Sequence, residues 1–170
     1  TTEIGGACGI SVAPVSEEPE KKKMLRDYVR DMDFNWNTVG EYLDTIEKMG
    51  ISTNFGTAVG HGTIRLKAMG FDDRKPTDAE MDDMKKSLRQ AMDDGAFCFS
   101  SGLIYPPGCY ADAEELTELC KELVPYGAYY ETHMRNEGEG VVEAVKEAIA
   151  VAEGAGVPLQ ISHHKVIRKS

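Results

Sequence analysis

Two short phrases hold the residues most able to do chemistry. One is Leu159–Lys165, LQISHHK; the other, thirty residues earlier, is Ala128–Arg135, AYYETHMR. Each places a histidine, His163 or His133, where an apolar strand-like run gives way to polar residues. Neighbouring strands lie about 4.8 Å apart, so histidines ending two consecutive parallel strands would bring their imidazoles within a few ångströms. Two neutral imidazoles can share one Zn2+, and a thiolate is a suitable third ligand. Cys8 in the glycine-rich IGGACG could supply it from the end of the earliest strand. Three protein ligands and an open fourth position are the usual arrangement of a catalytic zinc. Each residue also has a plainer reading. A strand-end histidine commonly serves as a hydrogen-bonded structural group, and Cys8 can be a small buried hydrophobe.

Other polar residues gather at the same ends. Ser100, Ser101 and Tyr105 fall in SSGLIYPPG, and Arg135 and Lys165 each follow a ligand candidate by two residues. Either cation could hold a substrate carboxylate or form a structural salt bridge. His61 in VGHGTIR lies between glycines and reads equally as a site residue or as a loop-fixing donor. His164 should point away from His163 along the pleat, to the outside. Cys98, Cys109 and Cys120 read as structural.

The elements that must position these groups alternate. Strand-like runs are expected at the start of the chain, within 51–62, at 96–102, at 128–133 and at 158–164. Helices are expected over 37–50, 77–95, 111–127 and 139–156. Thr38 with Glu41, and Thr77 with Glu80, have capping-box spacing. Expected inward stripes are Met81, Met84, Leu88 and Ala91; Leu116, Leu119, Cys120 and Leu123; and Val141, Val145, Ala148, Ile149 and Ala152. The lysine-rich stretch from Glu17 to Lys23 reads as an exposed loop or helix start. Four to five βα units imply a parallel sheet covered by helices, either doubly wound or a TIM-type (β/α)8 barrel. One βα unit between the two histidines favours the barrel. GGACG and GHG lack the GxGxxG of a dinucleotide-binding turn.

Composition narrows the partners. With 170 residues the chain has the length of one domain, and its 41% hydrophobic and 28% charged residues suit a soluble protein. A net charge of -10 argues against nucleic acid or an anionic membrane as the main partner. No apolar run is long enough to span a bilayer, and no signal peptide is evident. Four scattered cysteines without CxxC point to reduced thiols and the cytoplasm. The chain opens without Met and ends at Arg168-Lys169-Ser170, which reads as a piece of a longer protein.

Taken together, GACGISVAP, VGHGTIR, GAFCFSSGLIYPPG, ETHMRNE and QISHHK resemble the N-acyl-D-amino-acid deacylases, the D-aminoacylase branch of the amidohydrolase superfamily, over nearly the whole chain. The resemblance implies a zinc hydrolase on a distorted (β/α)8 barrel, represented by about strands 2 to 6, with residues 1–170 forming the central part of the barrel domain. It implies amide hydrolysis of N-acyl-D-amino acids, small-molecule substrates, to a D-amino acid and a carboxylate. It implies zinc held by Cys8, His133 and His163, and substrate contacts from Tyr105 and Lys165. The family usually has Asn at Ala7 and Gly at Cys98. Its first-strand HxH and last-strand general acid/base Asp have no counterpart here and are expected outside the chain. The isolated segment is therefore expected to be inactive, and its open sheet edges allow a homo-oligomer. Dihydroorotase- or hydantoinase-like enzymes are an alternative, but they carry a bridging lysine, and the 96–102 run contains none. A non-catalytic metal-binding fragment is another.

Overall fold

The computed structural model describes residues 1–30 and 32–167. Asp31 and the terminal Arg168-Lys169-Ser170, where the sequence reads as ending bluntly, lie outside the described residues. Six strand segments are present among them: β1 (Thr2–Gly5), β2 (Asn54–Thr57), β3 (Val59–Gly60), β4 (Phe99–Gly102), β5 (Tyr130–His133) and β6 (Leu159–Ile161). Between them run α1 (Pro19–Tyr28), α2 (Val39–Met49), α3 (His61–Met69), α4 (Asp78–Asp93), α5 (Ala113–Cys120) and α6 (Val141–Ala155). Every strand pairing is parallel.

The run from 54 to 60 explains why two sheets behave as one layer. Its first part, β2, pairs with β1, and its second, β3, pairs with β4. Around Ala58 the chain bonds to both sides: the Ala58 amide donates to Gly5 O at 2.8 Å, and Thr57 O accepts from the Phe97 amide at 2.8 Å. The strands therefore lie side by side in chain order, without the reversal of a doubly wound sheet.

Local sequence sets the helix ends. Both expected capping boxes form: the Glu41 amide donates to Thr38 Oγ1 at 3.2 Å, and the Glu80 amide to Thr77 Oγ1 at 3.3 Å, with the glutamates answering the cap amides. Pro19 opens α1, so the lysine-rich stretch is a helix start, as one of its two readings had it. Leu116, Leu119, Cys120 and Leu123 are all fully buried, as the stripe predicts, against Met84, Leu88, Phe99 and Tyr130. Burial of each leucine contributes roughly 1.5–3 kcal/mol, so a Leu119→Ala change would open a cavity in this core.

Two expectations are corrected. Ile149 is exposed; the inner stripe of α6 runs through Ala144, Ala148, Val151, Ala152 and Ala155. Small alanines let α6 approach α5 closely, and the larger Ile149 falls just off that face. The last strand stops at Ile161, because residues 162 and 163 turn away. His163 and His164 thus lie beyond the pleat, and strand alternation does not govern where they point.

Candidate metal centre

Glycine geometry seats the Cys8 loop on the strand ends. After β1 the backbone passes through positive φ at Gly6, Cys8 and Gly9, with Cys8 at 56°. The loop is held by Ser100 of β4, which accepts from the Gly9 amide at 3.1 Å and donates to Gly6 O at 2.5 Å. A side chain at Gly102 would collide with the Cys8 carbonyl, and one at Gly60 would lie 2.5 Å from Gly9 O. Glycine is required at both places so that the thiol can come down over the sheet.

The histidines arrive from the next two strands. His133 is the last residue of β5, opposite Gly102 in register. Just past β6, the Ser162 amide still donates to Thr132 O at 3.0 Å, and His163 then takes φ 36°. His163 Nε2 lies 2.7 Å from His133 Nδ1 and 3.9 Å from Cys8 Sγ, and one donor atom from each of the three falls within 4.8 Å of the others. Tetrahedral zinc with N and S ligands separates its donors by about 3.3–3.6 Å. Shifts of under about 1 Å would reach that spacing, so the donor set and its geometry fit zinc. Two of the three groups sit on non-glycine residues in the left-handed region. Such strain costs roughly 1–3 kcal/mol at each and clusters at functional sites.

The electrostatics agree. Burial holds His133 below the usual imidazole range, outweighing the pull of Glu137, so the ring is favoured in the neutral form that binds metals. Burial, followed by the Glu131 carboxylate, pushes the Cys8 thiol up. A cation would reverse that preference and displace the thiol proton. Glu137 is buried beside both rings, its Oε1 3.4 Å from His133 Nε2 and 3.8 Å from His163 Nε2. Its strongest partner is Lys165 at 2.5 Å, which keeps its carboxyl below the ordinary range. His133 Nε2 is buried with no well-formed hydrogen bond; at 3.4 Å the carboxylate is near it but out of line.

No family model matches this chain. Among curated proteins, it is 37% identical over 168 residues to a D-aminoacylase of Alcaligenes xylosoxydans xylosoxydans, covering 98% of this chain and 34% of the relative. An N-acyl-D-aspartate deacylase of the same organism is 34% identical, over 98% of this chain and 33% of the relative. The crystal structure of N-acyl-D-glutamate deacylase from Bordetella bronchiseptica superposes with a TM-score of 0.86 at 33% identity, over 98% of this chain and 35% of that one. That protein was crystallised with zinc and a phosphonate mimic of the tetrahedral intermediate. The chain belongs to the N-acyl-D-amino-acid deacylase family. It spans about a third of the length of the curated relatives it matches.

In this deacylase-family chain the other expected site residues divide. Tyr105 reaches the cluster, its ring edge-on to His133 with centroids 5.1 Å apart. Lys165 is beside the cluster but already engaged by Glu137. Arg135 takes the second of its two readings, a structural bridge to Glu147, and His61 acts as an internal donor next to Glu115 at 2.8 Å. His164 is exposed. Cys98 and Cys120 are buried and Cys109 half-buried, all unpaired. β4 reads Phe-Ser-Ser-Gly and offers no lysine ligand. Sequence reasoning missed Glu137 and Glu131. Both could have been found: Glu137 is only four residues beyond His133, and Glu131 precedes it by two residues, on the same strand face.

Proposed function

We propose that this chain is the metal-holding part of a zinc-dependent N-acyl-D-amino-acid deacylase, one arc of an eight-stranded barrel. The observation that carries this is the convergence of Cys8, His133 and His163 from three separate strand ends to within 4.8 Å. The order of the strands and the deacylase relatives support the barrel arc. Zinc, when bound to those three residues, supplies Lewis acidity toward an amide carbonyl. Glu137 lies 3.4 Å from the far nitrogen of His133 and, released by Lys165, would accept its N–H and hold the ring in place. The Tyr105 hydroxyl donates to the substrate's carbonyl oxygen as negative charge develops there. Lys165 exchanges Glu137 for the α-carboxylate of the substrate. Glu131 is taken by the Ser162 hydroxyl, and Glu137, once Lys165 turns to the substrate, is committed to the far nitrogen of His133. We therefore place the general base outside the described residues and expect the 170-residue chain to turn over little by itself.

Metal analysis of the purified chain tests the reading. One zinc per chain is expected, lost in Cys8→Ala and His133→Ala, with hydrolysis of N-acetyl-D-methionine at the level of the blank. A metal-free wild type overturns the centre; turnover like that of an intact enzyme overturns the proposed lack of a base.

A further inference from the structure

The segment between β4 and α5, residues 103–112, carries Tyr105, and it is fastened in an unusual way. Ile104 and Tyr105 stand out of it, each 41% exposed, while Leu103, Pro107 and Gly108 are buried. Its start is tied to a ligand: the Leu103 amide donates to His133 O at 3.0 Å. Its middle is closed by its own bonds, Cys109 N–H to Tyr105 O at 2.9 Å and Ala111 N–H to Gly108 O at 3.2 Å. Three of its alternate carbonyls are then taken by two guanidinium groups. Arg65 of α3 donates from Nε to Pro107 O at 3.1 Å. Arg135 donates from Nη1 to Cys109 O at 2.9 Å and from Nη2 to Ala111 O at 2.7 Å.

Each arginine is itself held by a carboxylate from a helix. Glu115 of α5 grips Arg65 at 3.2 Å and 3.3 Å, and Glu147 of α6 grips Arg135 at 2.9–3.1 Å. Every nitrogen of Arg135 is thereby engaged, with four of its five N–H donors used and its charge neutralised, which makes it a poor anchor for a substrate carboxylate. Arg135 also stands two residues beyond His133, at the bend that follows β5.

We propose that Arg135 is a positioning residue: it locks the 103–112 segment to the strand that carries His133 and so fixes Tyr105 against the metal centre. Arg65, with Glu115, is the second anchor of the same segment. The Tyr105 part rests on the functional reading above; the clamp itself does not. A forked guanidinium can serve two carbonyls and a carboxylate at once, and a lysine ammonium cannot reproduce that planar geometry. The inference predicts that the conservative change fails.

The test compares wild type with Arg135→Lys and Glu147→Gln. Arg89→Lys, which alters an exposed pair with Glu122, is the control. Amide exchange across 103–112 and the zinc-induced shift of the Tyr105 ring signal, in chain carrying 13C-tyrosine, are measured with zinc affinity. Hydrogen bonds to charged groups of this kind protect by about tenfold or more. Exchange at Cys109 and Ala111 is expected to rise about tenfold, at least half of the Tyr105 shift to be lost, and zinc affinity to stay within about twofold. A merely structural bridge would leave the Tyr105 shift intact. If Arg135→Lys does not fold, Glu147→Gln gives the same exchange readout. Unchanged exchange in the folded variants, or a loss of zinc affinity equal to the loss of the Tyr105 shift, overturns the clamp. No zinc-induced shift in the wild type would sink the functional reading, and exchange alone would then decide the clamp.

Discussion

His61 and His133 invite comparison, because His61 follows the end of β3 and His133 ends β5, both are buried, and each leaves one ring nitrogen without a partner, Nδ1 in His61 and Nε2 in His133. Their surroundings differ in kind. His61 donates to Glu115, which is also held by Arg65, and the remaining donors of Arg65 end on the carbonyls of Pro107, Asp72 and Arg74 and on the Met69 sulfur. One negative and one positive charge cancel inside a closed network. His133 faces a second imidazole and a thiol, and one potential ligand atom from each of the three lies within 4.8 Å of the others. Around His133 the neighbours are further metal-type donor atoms, whereas around His61 they are an ion pair. Both residues stand where a strand ends; the neighbours make one histidine part of an ion-pair network and the other a candidate ligand.

The sharpest way to break that contrast is at Glu115. Glu115→Gln would leave the fully buried Arg65 charge unpaired, and removing one partner of a buried pair costs about 3–5 kcal/mol. That is a large share of a domain stability of about 5–15 kcal/mol. Urea unfolding should show it directly. Cys8→Ala should leave stability within about 1 kcal/mol, because it removes no buried partner. If both changes cost the same, the division between a stabilising network and a metal-holding cluster is wrong.

A smaller effect is expected at Glu137, which does for His133 part of what Glu115 does for His61. Carboxylates behind a metal-bound histidine typically contribute 10–100-fold to metal affinity. Glu137→Ala should weaken zinc binding by about tenfold or more by titration against a competing chelator. Lys165→Met, which removes a cation beside the site, should not weaken it. A Glu137→Ala chain that binds zinc as well as wild type would mean that His133 needs no orienting partner.

Much of this was legible in the sequence, for identifiable reasons. Helix ends follow short-range chemistry, so Thr38 with Glu41 and Thr77 with Glu80 could be read from spacing alone. The convergence of Cys8, His133 and His163 was legible because one βα repeat separates the two histidines and glycines flank Cys8. What was not legible depends on long-range partners. The roles of Arg135 and His61 turn on Glu147 and Glu115, which lie 12 and 54 residues away in the chain. No local pattern tells a cation awaiting substrate from one already satisfied. The turn at His163 was missed because a strand's exit depends on what its end must meet, here Cys8 and His133, more than on its own composition.

The mildest prediction concerns the outer edge of the His61 network. Arg74, whose carbonyl accepts from Arg65 at 2.6 Å, is held in turn by Glu80 through two bonds of 2.6 and 2.7 Å. The hydrogen bonds from Arg74, and then that from the Thr77 amide, lower the Glu80 carboxyl from its ordinary 4.5 to about 2. The folded chain therefore binds fewer protons there than the unfolded chain. The associated stability is present above about pH 4.5 and is lost as the pH falls through about 2. Solvent reaches this pair, so the effect is about 1 kcal/mol or less. Thermal unfolding of Glu80→Gln and wild type should differ most near neutral pH and converge toward pH 2. Lines that run parallel across that range would show that the edge of the network is held by packing, with the carboxylate incidental.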